Sequence, residues 1–189
     1  MSNPGPLGWC IRRGSSTDYG ALDYALLYNP VAGRGRASAV AGSVATRLRA
    51  LGHDVREGRS EHPGHMRELG RALSGEVARI LVLGGDGSLR EVACGLLEHE
   101  PTARAELGVV PFGSGNVVAR ELGLPLDPLA AVDTIAASPA IPWDVGFATA
   151  DAGEREPFLA MVGLGYDAAI AERIDRARRT GWGGRLSLI

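Results

Sequence analysis

Three times before residue 120 of this 189-residue chain, a short apolar run breaks into glycines and is followed by apolar residues at helical spacing. Residues 77–88, Val-Ala-Arg-Ile-Leu-Val-Leu-Gly-Gly-Asp-Gly-Ser, show the pattern most sharply. Ile80 to Leu83 reads as a buried strand that stops at Gly84-Gly85-Asp86-Gly87-Ser88, after which Leu89, Val92, Ala93, Leu96 and Leu97 share one helical face. Leu26-Leu27-Tyr28 likewise ends in Asn29-Pro30-Val31-Ala32-Gly33-Arg34-Gly35, with Val40, Val44, Leu48 and Leu51 at helical spacing behind it. Leu107 to Phe112 leads into Gly113-Ser114-Gly115-Asn116 and then Val117, Val118, Ala119 and Leu122. Repeated strand–loop–helix units imply an α/β fold whose parallel sheet is covered by helices on both faces, a Rossmann-like arrangement.

Three such loops would lie side by side at one edge of the sheet, where α/β ligand sites form. A strand that opens through glycines into a helix offers backbone N–H groups to a phosphate, and a Cβ at those positions would block close approach. Asp86 is the odd member of that set. A carboxylate in a phosphate cradle is repulsive unless a metal lies between them or it accepts a proton from an attacking hydroxyl, and both exceptions point to phosphoryl transfer. Ser88, Ser114 and Asn116 would add side-chain donors. Each loop taken alone also reads as an ordinary turn or helix cap, Ser and Asn being common N-cap residues.

Absences narrow the chemistry. All twenty basic side chains are arginines, so neither a P-loop lysine nor the strand lysine of a protein kinase is present. Gly33-Arg34-Gly35-Arg36-Ala37-Ser38 lacks the third small residue of a dinucleotide fingerprint. Gly163-Leu164-Gly165-Tyr166-Asp167-Ala168 has it, without an acidic residue about twenty positions on. Phe112 occupies the place of the first glycine of a nucleophile elbow around Ser114. His53, His62, His65 and His99 make no metal set by spacing, and only His62 and His65 are close in sequence. Cys10 and Cys94 are too far apart for a metal motif and fit a reducing cytoplasm, with Cys94 a small core residue. A net charge of −2 provides no global basic field for nucleic acid. No run approaches the roughly 18 apolar residues of a membrane span, and the N-terminus lacks a signal-peptide pattern. Arg173, Arg176, Arg178, Arg179 and Arg185 read either as a solvated helix face or as contacts to anionic headgroups.

The order of these segments resembles the diacylglycerol kinase catalytic domain family, which includes bacterial lipid kinases and sphingosine kinases. Asn29-Pro30-x-Ala32-Gly33-x-Gly35 is similar to the family's first loop, and Ser60, four residues before Gly64-His65, falls where the family has a nucleotide-contacting threonine. Gly84 to Ser88 with Glu91-Val92 resembles the Gly-Gly-Asp-Gly-Thr segment and its following acidic position. Pro111-x-Gly113-Ser114-Gly115-Asn116-x-x-Ala119-Arg120 resembles the third loop, followed by Leu124-Pro125, and Trp143-Asp144-Val145-Gly146 with Phe158 to Ala168 resembles the entry into a second domain. Gly-Gly-Asp-Gly alone also occurs in NAD kinases and phosphofructokinases, but its combination with the other two loops is specific. The likeness covers about residues 23 to 189. It departs at Arg90 and Ala160, where asparagines are frequent, and the chain stops at Ile189 where family members continue into a β-rich domain that is expected to carry the proton acceptor and metal ligands.

The resemblance implies ATP and Mg²⁺ as cofactors and transfer of the γ-phosphate to a lipid hydroxyl, diacylglycerol- or sphingosine-like, at a membrane surface. Asp86 is the candidate catalytic residue. The candidate nucleotide contacts are Asn29, Pro30, Val31, Ala32, Gly33, Ser60, Gly84, Gly85, Asp86, Gly87, Ser88, Leu89, Arg90, Glu91, Gly113, Ser114 and Asn116. The organisation expected is a disordered tail over 1–21, an α/β nucleotide-binding domain over 22–141, and the incomplete start of a β-rich domain over 142–189, with strands over 141–147 and 157–162. A cytoplasmic protein, peripheral to the inner membrane face and able to form a homodimer, fits this picture. Two other readings stay open: a truncated homologue that binds nucleotide without catalysis, and an NAD kinase-like enzyme, although Asn116-Val117 does not supply the Asn-Glu pair the latter predicts.

Overall fold

A computed structural model of the chain describes residues 21–149, 153, 155–163, 165–166, 168–170 and 172–173. The expected N-terminal tail, but for residue 21, lies outside the described residues, as do four of the five arginines expected to form a cluster, Arg176, Arg178, Arg179 and Arg185.

Four parallel strands, β1 (Asp23–Tyr28), β2 (Asp54–Arg59), β3 (Arg79–Gly84) and β4 (Glu106–Pro111), form a sheet of order β2-β1-β3-β4. The chain reverses its winding direction between β1 and β3, so the loops leaving those two strands flank the switch point. Side chains alternate across the sheet. Ala25, Leu27, Ile80, Val82 and Val109 face a core shared with Met66, Leu89, Val92, Leu96 and Val118. Tyr24, Leu26, Leu81, Leu83 and Val110 face a second core with Val44, Leu48, Val132 and Ile135. The helices supplying those residues are α2 (Ala37–Ala50) and α6 (Pro128–Ala137) on one face, and α3 (His65–Leu73), α4 (Asp86–Leu97) and α5 (Val117–Glu121) on the other. Burial of both sheet faces is why β3 is continuously apolar from Ile80 onward rather than alternating. The short α1 (Ala32–Gly35) carries left-handed residues at Gly33 and Arg34 and is in substance a turn.

Element types agree with the expectation throughout the α/β region, and the boundaries differ informatively. The helix expected from residue 89 begins at Asp86, so the aspartate belongs to the first helical turn rather than to the loop. A second, antiparallel sheet pairs β5 (Gly146–Thr149) with β6 (Arg155–Phe158), displaced from the strands expected over 141–147 and 157–162. Pro142 and the run to Asp144 do not pair; instead Trp143 packs on the first core and its indole Nε1–H donates to the Leu159 carbonyl at 2.8 Å.

Candidate functional site

At the C-terminal edge of the sheet the first, second and third glycine loops are in contact. The Phe112 N–H donates to the Gly84 carbonyl at 2.8 Å, continuing the β3–β4 ladder into the loops. Beyond it the two backbones touch: a Cβ on Gly113 would stand 2.5 Å from the Gly85 Cα. Gly33 of the first loop lies against the Phe112 ring, where an added Cβ would meet Cε1 at 2.0 Å. The end of β2 joins from the other side through the Ser60 N–H, which donates to the Tyr28 carbonyl at 2.9 Å. The three loops therefore form one surface of close-packed backbone, built where side chains have been omitted.

Asp86 connects two of these loops. Its Oδ1 accepts the Val118 N–H at 3.1 Å, tying the start of α4 to the start of α5. Its Oδ2 faces Gly115, a Cβ on which would lie 3.3 Å away. Asn116 adopts a left-handed backbone (φ 50°) and is only 8% exposed; its Oδ1 accepts the Gly113 N–H at 2.8 Å and its Nδ2 donates to the Gly113 carbonyl at 3.0 Å. That amide shapes the third loop and is consumed within it. In the first loop the Asn29 Oδ1 accepts the Val31 N–H at 3.1 Å, and the Ala32 N–H donates to the Asn29 carbonyl at 3.0 Å.

The candidate contacts divide into groups. Gly33, Gly84, Gly85, Asp86, Gly113 and Asn116 meet in the loop surface just described, with Gly87, Ser88 and Ser114 adjoining them in sequence, and Gly87, Gly113 and Ser114 are exposed. Asn29, Pro30 and Ala32 are half-buried in the first loop, while Val31 is 73% exposed beside them. Ser60 is at the right edge of the sheet but buried. Leu89 is placed differently from the expectation: its side chain is 2% exposed in the first core and its N–H donates to the Gly85 carbonyl, so neither part faces a ligand. Helical spacing alone assigned it to the core face, and that signal outweighs its nearness to the loop. Arg90 points elsewhere too: Nε donates to the Pro157 carbonyl at 2.8 Å and Nη2 pairs with the Glu156 carboxylate, fastening the β5–β6 hairpin to α4. Glu91 is half-buried on α4.

Two residues absent from the expected set adjoin the loops. Arg36 donates from Nε to the Gly33 carbonyl at 3.1 Å and places its guanidinium 5.8 Å from the Phe112 ring centroid. Arg120 donates from Nε to the Gly115 carbonyl at 3.1 Å. The dearth of lysine was the available signal, since any cation at these loops must be an arginine.

Two other features lie away from the loops. His62, His65 and Glu68 bring ligand-type atoms within 4.8 Å of one another, with His62 Nε2 3.8 Å from Glu68 Oε2. The carboxylate arrives through the first turn of α3. However, His65 Nδ1 accepts the Glu61 N–H at 3.0 Å, which places the proton of the neutral ring on Nε2 and leaves that nitrogen no lone pair for a metal. An apolar cleft of about 400 Å³ runs along the outer edge of β4, lined by Leu107, Val109, Leu122, Leu124, Ile135 and Trp143 among others. Burial pushes the Cys94 thiol above its ordinary value, consistent with an unreactive core residue.

A four-stranded parallel sheet whose glycine loops converge at the switch point defines a Rossmann-like α/β domain. The model of the diacylglycerol kinase catalytic domain matches residues 23–148, and the chain belongs to that family. A diacylglycerol kinase of Mycobacterium tuberculosis is 32% identical over 156 residues, covering 80% of this chain and 48% of that protein. A diacylglycerol kinase of Staphylococcus carnosus is 33% identical over 122 residues, 64% of this chain and 39% of its own length. A crystal structure of a diacylglycerol kinase from Bacillus anthracis superimposes with a TM-score of 0.57 at 28% identity, covering 65% of this chain and 46% of that one. The chain thus spans less than half the length of these relatives.

Proposed function

We propose that this chain is the nucleotide-binding part of an ATP-dependent lipid kinase, which transfers the γ-phosphate of ATP to a lipid hydroxyl of the diacylglycerol or sphingosine type. The observation that carries the reading is the contact of three glycine loops at the sheet's switch point, with Gly85 and Gly113 backbone to backbone and Gly33 against Phe112. Such a surface accepts phosphate oxygens because no Cβ keeps them off the amide groups. Family membership and relatives named diacylglycerol kinase support the lipid acceptor. No helix among the described residues is long and apolar enough to cross a membrane, so the lipid is taken to be met at a bilayer surface.

Within this reading Asp86 has two duties on one carboxylate. Oδ1 holds the third loop in register through Val118, and Oδ2 remains for the reaction, where it orients the acceptor hydroxyl or a metal-bound water. Mg²⁺, delivered with the nucleotide, would neutralise charge on the transferring phosphoryl group, with Asp86 the acidic residue at the loops to receive it. The side-chain hydroxyls of Ser88 and Ser114 fit the role of additional phosphate donors.

Nucleotide titration followed by thermal unfolding tests the reading. MgATP at 100 times its dissociation constant should add about 2.7 kcal/mol to folding stability, while magnesium alone should add far less. A folded sample whose unfolding midpoint does not move in millimolar MgATP would overturn it.

A further inference from the structure

The parallel sheet's helices and the β5–β6 hairpin are joined through a side chain that the nucleotide site does not use. Arg90 lies four residues after Asp86 on α4, so the two share one face of that helix, a single turn apart. Its Nε donates to the Pro157 carbonyl at 2.8 Å, and its Nη2 pairs with the Glu156 carboxylate. The acceptors belong to consecutive residues of β6, and a planar guanidinium that engages both fixes orientation as well as distance. Pro157 has no N–H, so its carbonyl is its one main-chain polar group, and that group is turned to α4. Arg67 of α3 also feels the Glu156 charge but donates to Glu98 at 2.7 Å, so the hairpin carboxylate falls to Arg90.

Trp143 supplies a second tie, its indole meeting the Leu159 carbonyl from the first core. That tie anchors the hairpin to the body of the fold, whereas Arg90 anchors it to the helix on which Asp86 stands. The chain just past β6 differs in character from the glycine loops. Met161 is 73% exposed and Tyr166 80% exposed, and Val162 and Ile170 are exposed in the same segment. The loops offer backbone amides to a phosphate; this segment offers apolar surface of the kind a lipid covers.

We propose that Arg90 is a positioning residue for phosphoryl transfer: it fastens the β5–β6 hairpin, with the apolar segment that follows, to the helix carrying Asp86, so that a lipid hydroxyl arrives in register with the phosphate loops. The role rests on the lipid-kinase reading above and adds to it the residue that couples the side meeting the lipid to the side meeting the phosphates. In-line transfer depends on that register, because the protein contributes mainly placement and charge.

Rates of phosphate transfer from ATP to dioleoylglycerol in phosphatidylcholine vesicles, with KM determined for each substrate, compare the wild type with Arg90→Met, Arg90→Lys and Glu156→Gln. Methionine keeps the helix propensity, and lysine keeps the charge. Exposed ion pairs add little to stability, so the unfolding midpoints and the KM for MgATP should match the wild type. Arg90→Met should lower kcat/KM for the diacylglycerol about ten- to a hundredfold, the scale on which misplacement of a reacting group is felt. Glu156→Gln should act in the same direction but less, since the Pro157 bond remains, and Arg90→Lys should recover part of the loss. Amide hydrogen exchange over residues 146–149 and 155–158, which needs no turnover, should quicken in Arg90→Met while exchange in β1 to β4 stays unchanged. Unchanged lipid kinetics or unchanged hairpin exchange in Arg90→Met would overturn the role and leave the kinase reading intact. A parallel rise in the KM for MgATP would also overturn it, by showing that Arg90 supports the phosphate loops instead. A wild-type chain that transfers no phosphate to the lipid would remove the lipid-kinase reading and this role with it.

Discussion

Asp86 illustrates how much one side chain can carry at the end of a strand. In the sequence it is an anomaly, a carboxylate among glycines; in the structure its Oδ1 is a hydrogen-bond acceptor joining α4 to α5. Substitution by asparagine separates these roles, because an amide oxygen still accepts the Val118 N–H while the charge is lost. Under the proposed kinase reading, Asp86→Asn should therefore unfold at nearly the wild-type midpoint yet transfer phosphate about a hundred- to a thousandfold more slowly, the usual cost of one transition-state contact. Wild-type turnover would reduce Asp86 to its structural bond. Most of the glycines that meet at the loop surface were legible in the sequence because the same apolar-run, glycine, helix pattern recurs three times. Leu89 and Arg90 were misread for the same reason: adjacency in sequence to Gly87 and Ser88 says nothing about direction, and the helix turns Leu89 into the core and Arg90 toward Glu156.

Among the elements, α3 and α4 cross closely because glycines stand at the contact. A Cβ on Gly95 would meet the Arg67 carbonyl oxygen at 2.2 Å and the Arg71 nitrogen at 2.6 Å, both backbone atoms that cannot rotate aside. Gly95→Ala gains helix propensity but must push the helices apart, and overpacking of this kind costs about 1–3 kcal/mol. The unfolding midpoint should fall accordingly, by about 2–4 °C for each kcal/mol in a chain of this size; a midpoint at or above wild type would show that the crossing is not tightly packed. Neither Gly70 nor Gly95 announces this role in the sequence, where a glycine within a helical pattern looks only like a weakness. Helix and strand identities were readable from periodicity, and the shift of β5 and β6 was not, because pairing register in a short hairpin depends on partners such as Phe158, whose ring covers Gly146.

Viewed whole, the sheet has unlike ends. The C-terminal end carries the glycine loops, and the opposite end carries a buried polar network. Arg79, at the start of β3, pairs with Glu106 directly across the β3–β4 register at 2.5 Å and donates to the Tyr24 hydroxyl at 3.2 Å and the Ile135 carbonyl at 2.8 Å. His53 stacks at a tilt 4.8 Å from Tyr24, and its Nδ1 accepts the Leu22 N–H at 3.3 Å. Burial, and after it the Arg79 charge, holds the His53 imidazole below its ordinary value. The unfolded chain therefore binds the proton more readily than the folded one. The stability due to neutral His53 is complete above the ordinary histidine value of about 6.5 and is lost as pH falls through the lower folded value. Urea midpoints should decline between pH 7.5 and 5 in the wild type and decline less in His53→Asn, whose amide oxygen keeps an acceptor near Leu22. Equal slopes would show that His53 takes up its proton over the same pH range in the folded and unfolded chain.

What the amino-acid sequence determined by itself was local: which runs are strands and which helices, where the glycines open the backbone, and which cations are missing. Those properties follow from side-chain periodicity and from the conformational range of single residues, which neighbours a few positions away suffice to reveal. The tertiary structure decided what lies against what. The strand order β2-β1-β3-β4 sets Gly85 beside Gly113 and Gly33 beneath Phe112, and brings Arg79 opposite Glu106. It also leaves Arg36 and Arg120 engaged with loop carbonyls and Arg34 exposed in a strained turn. Such contacts join residues tens of positions apart, and no local preference encodes them, because they exist only once burial of both sheet faces has chosen one packing of the helices.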